Sequence, residues 1–128
     1  MTFGIHHLGL TVTNLEEAKT FFVEILEWKV VKEDESYPSV FVSDGSIMLT
    51  LWKVQTHVPI SFDRKKNIGL HHFAIKVKGE SELKVIFDKI DKSRYDIEFP
   101  PEHLGTSPHI HFMCIGPSGI RIEFVQIN

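Results

Sequence analysis

Two histidine pairs stand at matching places in two near-copies of one segment. These are Ile5-His6-His7-Leu8-Gly9-Leu10-Thr11-Val12 and Leu70-His71-His72-Phe73-Ala74-Ile75-Lys76-Val77, sixty-five residues apart. A fixed offset of this kind marks an internal duplication. Glu123 lies between Ile122 and Phe124 near the end of the chain. A carboxylate among strand apolars is costly without a partner or a metal. His7, His72 and Glu123 together offer two imidazoles and one carboxylate. That donor set leaves open positions on the ion and is typical of non-haem Fe(II); Mn(II) suits it too, and Zn(II) is a third candidate.

These residues must be carried by strands of defined parity. Residues 5–13 alternate as a strand does, and 70–78 do the same. Leu8, Leu10 and Val12 share one face, as do Phe73, Ile75 and Val77. His7, Gly9 and Thr11, with His72, Ala74 and Lys76, share the other. On this parity His6 and His71 face the helix side and are structural. In the last strand, Ile120–Gln126, Ile122 and Phe124 are core and Arg121, Glu123 and Val125 face the opening. In Ile47–Lys53, Met48, Thr50 and Trp52 take the open face. In His109–Ile115 that face carries His109, His111 and Met113.

The remaining elements complete the two copies. Asn14 is an N-cap answered by Glu17, ahead of a helical stripe through Ala18, Phe22, Ile25 and Leu26. Trp28–Lys32 is a strand closed by a charged turn at Glu33-Asp34-Glu35, and Asp44-Gly45 signals a hairpin between Val40–Ser43 and Ile47–Lys53. In the second copy Leu83, Ile86, Phe87 and Ile90 form a helix stripe. Asp96–Phe99 is a short strand, and Pro100–Pro108 is a loop bearing His103 that could close over the site. The expected fold is α+β: two β-α-β-β-β modules, 1–53 and 70–128, joined by a linker over 54–69. They form a curved mixed sheet over a metal-binding cavity, with helices behind.

Composition limits the function. The chain has 128 residues, 42% of them hydrophobic, and a formal net charge of −3. This is a globular composition without the basic field that nucleic acid needs, and Arg64-Lys65-Lys66 is a solvated linker run. No stretch is long enough to cross a bilayer, and no N-terminal run looks like a signal peptide. With Cys114 as the only cysteine, a cytoplasmic protein is expected. Cys114 falls on the core side, a structural thiol rather than a nucleophile.

The chain resembles the vicinal oxygen chelate superfamily, which includes glyoxalase I, fosfomycin-resistance proteins, bleomycin-resistance proteins and extradiol dioxygenases. The matching segments are His7–Leu15, the Phe21-Phe22…Leu26 helix, Leu70–Phe73 and Gly116–Phe124. The resemblance implies one metal ligand from each of four strands. His7, His72 and Glu123 match three; the fourth falls at Thr50, where four-ligand members carry Glu or Gln. Met113 stands where extradiol dioxygenases carry a tyrosine. The implied function is a metal-dependent lyase, isomerase or dioxygenase. It would bind a small substrate through two vicinal oxygens, with the metal as Lewis acid and Glu123 and His111 in catalysis. His111 has two readings, a general acid–base or a solvated strand histidine. Arg121 and Lys76 would hold an anionic group or form a charged rim, Thr50 and Met113 would line the substrate side, and Trp52 and Met48 either line an apolar pocket wall there or pack in the core. The alternative is a non-catalytic binding protein that sequesters a drug, as bleomycin-resistance proteins do. Similar proteins commonly pair, so a homodimer is expected.

Overall fold

The computed structural model describes residues 1–127. It divides into two compact units, Met1–Ile60 and a second beginning at Ser61, so the boundary falls inside the stretch read as linker. Each unit holds a four-stranded mixed sheet and a helix.

In unit one, β1 (His7–Val12) leads through the Asn14 cap into α1 (Leu15–Thr20), which continues as a π-helical turn over Phe21–Ile25. Asn14 Oδ1 accepts from the Glu17 backbone N–H at 3.0 Å, satisfying one of the helix's orphan donors. β2 (Lys29–Asp34), β3 (Ser39–Ser43) and β4 (Met48–Lys53) follow. The sheet order is β1-β4-β3-β2, with β1 parallel to β4 and the other pairs antiparallel. Leu10, Val12, Phe22, Val42, Leu49 and Leu51 are buried, and Phe22 packs on Trp28.

Unit two repeats this plan. β5 (Phe73–Val77), α2 (Glu80–Asp91), β6 (Asp96–His103), β7 (Ile110–Ile115) and β8 (Arg121–Gln126) make a sheet of order β5-β8-β7-β6, with β5 parallel to β8. Phe112 is stacked on Phe124 and edge-on to Phe87 of α2. Phe112 and Phe124 are fully buried. Each contributes roughly 1.5–3 kcal/mol by burial. Between β7 and β8 a tight turn places Ser118 and Gly119 at φ of 59° and 74°, a region glycine enters without steric cost.

The two β-α-β-β-β modules and the α+β class agree with the expectation. Four local readings are corrected. β2 runs on through Asp34; the turn comes later, where Asp34 Oδ1 accepts from the Ser36 N–H and hydroxyl at 2.9 and 2.7 Å. β6 continues through Pro100 and Pro101 to His103, so His103 is on a strand and not on a closing loop. β6 is an edge strand, and its register against β7 breaks between Phe99 and Glu102, so neither proline interrupts a ladder pair. β1 and β5 begin at His7 and Phe73, so His6 and His71 precede the ladders that would have fixed their parity. Neither turns to the helix side: both are exposed, and each ring lies edge-on to the next histidine, with centroids 5.1 and 4.9 Å apart.

Candidate functional site

The sheet register of unit two gathers the chemistry around Glu123. Its Cα partners are Ala74 on β5 and Met113 on β7. His111 lies two residues before Met113 on β7 and so shares its face, and His72 stands just ahead of β5. His72 Nε2 is 3.6 Å from Glu123 Oε1, and His111 Nδ1 is 2.9 Å from Glu123 Oε2. A carboxylate only accepts, so His111 donates its Nδ1 proton to it. The far nitrogen of His111, Nε2, lies 3.7 Å from Glu102 Oε1, and its ring packs against Phe99. The apolar flanks of Glu123 are therefore offset by a buried histidine donor. Ala74, the β5 partner of Glu123, is exposed and small. Met113 is buried and packs beside Glu123.

A second network adjoins it. Arg121 donates from Nε and Nη2 to the two oxygens of Glu98, at 2.8 and 2.6 Å, a bidentate charge-assisted pair. Its Nη1 reaches the His71 carbonyl and His71 Nδ1, both at 3.1 Å. His71 Nδ1 is in turn 2.7 Å from His72 Nδ1. The Arg121 guanidinium holds the Glu98 carboxyl below its usual range and is itself raised by that hydrogen bond. Desolvation, then the Arg121 cation, pushes the His71 imidazole down. Arg121, expected as a substrate anchor or rim charge, is thus engaged by Glu98. Lys76 is exposed on the Glu123 face of β5.

Unit one shows the same register with different side chains. Gly9 pairs with Thr50 as Ala74 pairs with Glu123, so Thr50 is the internal counterpart of Glu123. Thr50 is only 3% exposed, and its hydroxyl accepts from Trp52 Nε1 at 2.9 Å. Trp52 is braced by Tyr37 and Phe41. His7 stands where His72 stands, with His6 Nδ1 2.9 Å from His7 Nδ1.

Among the described residues, no three His, Cys, Asp or Glu side chains gather as a metal-binding group. Unit two supplies an imidazole and a carboxylate side by side, a pair whose chemistry fits a divalent ion. A cleft of about 360 Å³ lies elsewhere, lined by Leu83 and Phe87 of α2 with Pro101, Glu102, His103 and Ile110; it includes neither His72 nor Glu123. Cys114 is buried, and desolvation pushes its thiol up to about 12, consistent with a structural residue. No helix of the described residues is long and apolar enough to cross a membrane.

Sequence reasoning missed Glu98, Glu102 and the contact of His71 with Arg121. The Asp96–Phe99 alternation places Glu98 on a strand, but its partner is 23 residues away. The β6–β7 register also shifts between Ile97 and Phe99 and again before Glu102. An irregular register leaves no period to read.

The chain belongs to the glyoxalase/bleomycin resistance protein/dioxygenase superfamily, whose family model matches residues 4–124. It is 26% identical over 98 residues to the catechol-2,3-dioxygenase of Bacillus subtilis, covering 73% of this chain and 33% of that protein. The chain thus spans about a third of the length of this curated relative. Among solved structures, a glyoxylase/bleomycin resistance protein/dioxygenase domain from Frankia sp. EAN1pec has a TM-score of 0.86 at 20% identity, covering 100% of this chain and 94% of that one. A putative glyoxalase from Bacillus halodurans has a TM-score of 0.80 at 22% identity, covering 96% and 95%. At these identities the structures establish the shared fold.

Proposed function

We propose that this protein is a divalent-metal-dependent enzyme of the glyoxalase/dioxygenase type, acting on a small substrate that offers two vicinal oxygens. The observation that carries this reading is the 3.6 Å approach of His72 Nε2 to Glu123 Oε1 on an open face of unit two. His72 and Glu123 are two of the ligands, and His7 holds the matching register place within its own unit. Fe(II) or Mn(II) is the assigned ion, with Zn(II) also suited to the donors. When bound, the metal supplies Lewis-acid stabilisation of negative charge on the substrate oxygens.

The chain's own residues set the conditions. His111 holds Glu123 Oε2 through its Nδ1 proton, which leaves Oε1 turned to His72. That proton also places His111 to act in acid–base steps. Lys76 is available to an anionic substrate group. The burial of Thr50 and its hydrogen bond from Trp52 favour three protein ligands over four. That points away from a four-ligand glyoxalase I and toward dioxygenase-like or transferase-like chemistry. A homodimer in the cytoplasm completes the reading.

Manganese titration followed by electron paramagnetic resonance tests it. The wild-type protein should bind one ion per chain. His72→Ala and Glu123→Gln should each weaken binding by more than about tenfold, a loss that even residues behind the ligands can cause. Oxygen uptake with catechols then tests the dioxygenase branch. Wild-type protein that binds no metal, or variants that bind as the wild type does, would refute the proposal.

A further inference from the structure

The doubled histidine of unit two holds a proton in a definite place. Arg121 Nη1 lies 3.1 Å from His71 Nδ1. A guanidinium has donors and no acceptor, so His71 Nδ1 must present its lone pair. The orientation of Arg121 is set independently by its two bonds to Glu98 and by its bond to the His71 carbonyl. His71 Nδ1 is also 2.7 Å from His72 Nδ1. Two ring nitrogens at that distance share one hydrogen, and His71 is the acceptor, its single lone pair shared between the guanidinium N–H and the His72 Nδ1–H. The hydrogen is therefore on His72 Nδ1.

A neutral imidazole carries one N–H. His72 Nε2 is then bare, and it faces Glu123 Oε1 at 3.6 Å. The other Glu123 oxygen already accepts from His111. Two lone-pair atoms confront one another with no hydrogen between them, an arrangement that a cation relieves. We infer that His71, held by Arg121, is a positioning residue that fixes His72 as its Nδ1–H tautomer and so presents Nε2 as a metal ligand. Metal-ligating histidines commonly donate their second N–H to a carboxylate, carbonyl or water. Here the acceptor is the preceding histidine. Without a directing partner, an imidazole side chain protonates mainly at Nε2, which would occupy the nitrogen the ion needs.

The same nitrogen-to-nitrogen contact recurs between His6 and His7 at 2.9 Å. The register place of Arg121 beside His72 is taken there by Met48 beside His7. Module one thus keeps the histidine pair without the guanidinium that decides which ring donates.

This inference rests on the metal reading above, and the test separates the two. In metal-free protein with ¹⁵N-labelled histidine at pH 8, long-range proton–nitrogen correlations report which ring nitrogen carries hydrogen. The His72 signals are assigned by their loss in His72→Gln. Wild-type His72 should show hydrogen on Nδ1 and a lone pair on Nε2. In His71→Leu the hydrogen should move to Nε2, and manganese affinity should fall about 10- to 100-fold. His71→Asn, whose side-chain oxygen replaces Nδ1 as acceptor, should restore both readouts. His71 is exposed, and circular dichroism checks that both variants fold. Hydrogen on Nε2 in the wild type, or an unchanged tautomer in His71→Leu, would overturn the inference. If the tautomer follows His71 as expected but wild-type protein binds no manganese, the positioning stands and the metal reading fails.

Discussion

Replacing Arg121 with methionine should destabilise unit two by about 2 kcal/mol at neutral pH, and acid should erase much of that difference. The magnitude follows from four hydrogen bonds that a methionine side chain cannot donate. Two charge-assisted bonds run to Glu98, a third runs to the His71 carbonyl, and a fourth, weaker one shares the lone pair of His71 Nδ1. Hydrogen bonds to charged groups contribute roughly 1.5–3 kcal/mol each when sheltered, and fully exposed ion pairs about 0–1 kcal/mol in all. The Arg121 and Glu98 side chains are 11% and 25% exposed, between those limits, so solvent screening discounts the sum to about 2 kcal/mol. That is roughly thirtyfold in the unfolding equilibrium. The pH dependence has a fixed sign. Arg121 lowers the folded-state pKa of Glu98. The stabilisation is therefore complete above the ordinary carboxylate range, near about 4.3, and is lost as pH falls through the depressed folded value. Only the bond to the backbone carbonyl survives in acid, about 1 kcal/mol or less. Urea unfolding of both proteins, followed by far-UV circular dichroism at about pH 7, 5 and 3 across that range, measures it. A difference below about 0.5 kcal/mol at neutral pH, the size of an ordinary surface change, would refute the reasoning; so would one that grows in acid.

Two further outcomes follow from buried side chains. Thr50→Val removes the acceptor for Trp52 Nε1 and should cost about 1 kcal/mol in urea unfolding followed by tryptophan fluorescence, while manganese affinity stays within about twofold of wild type. A tenfold loss of affinity would make Thr50 a ligand after all. Cys114 should not react with a thiol reagent at pH 8 in the native protein and should react fully after unfolding, because burial pushes its thiol up to about 12.

The parts legible in the sequence are those governed by a regular period. The offset between the histidine copies predicts two equivalent strands, and alternation separates Leu10 and Val12 from Gly9 and Thr11, and Ile75 and Val77 from Ala74 and Lys76. What failed lies where the period stops. His6 and His71 stand just outside their ladders, and extrapolating parity to them turned the rings the wrong way. Pro100 and Pro101 signal a break, yet they fall in the register shift of an edge strand, where no ladder bond needs their N–H groups. Glu98 meets Arg121 across an irregular register that no spacing rule describes.

The duplication shows how one backbone plan yields two different environments. In unit one, the place facing Thr50 is Gly9, where an added Cβ would stand 3.2 Å from the threonine hydroxyl. Trp52, two residues along the same strand, satisfies that hydroxyl from within the unit. In unit two the register place of Trp52 is Val125, which has no donor, and the place of Ser39 is His111. The donor for Glu123 therefore comes from the neighbouring strand, one carboxylate oxygen is bound, and the other is left facing His72. Three exchanges at matching register positions, Thr for Glu, Trp for Val and Ser for His, separate a polar pair closed within one strand from a carboxylate served from two neighbouring segments. The polar group of unit one is closed by its own strand. That of unit two is tied to His111 through one oxygen, while the other stands 3.6 Å from His72 Nε2.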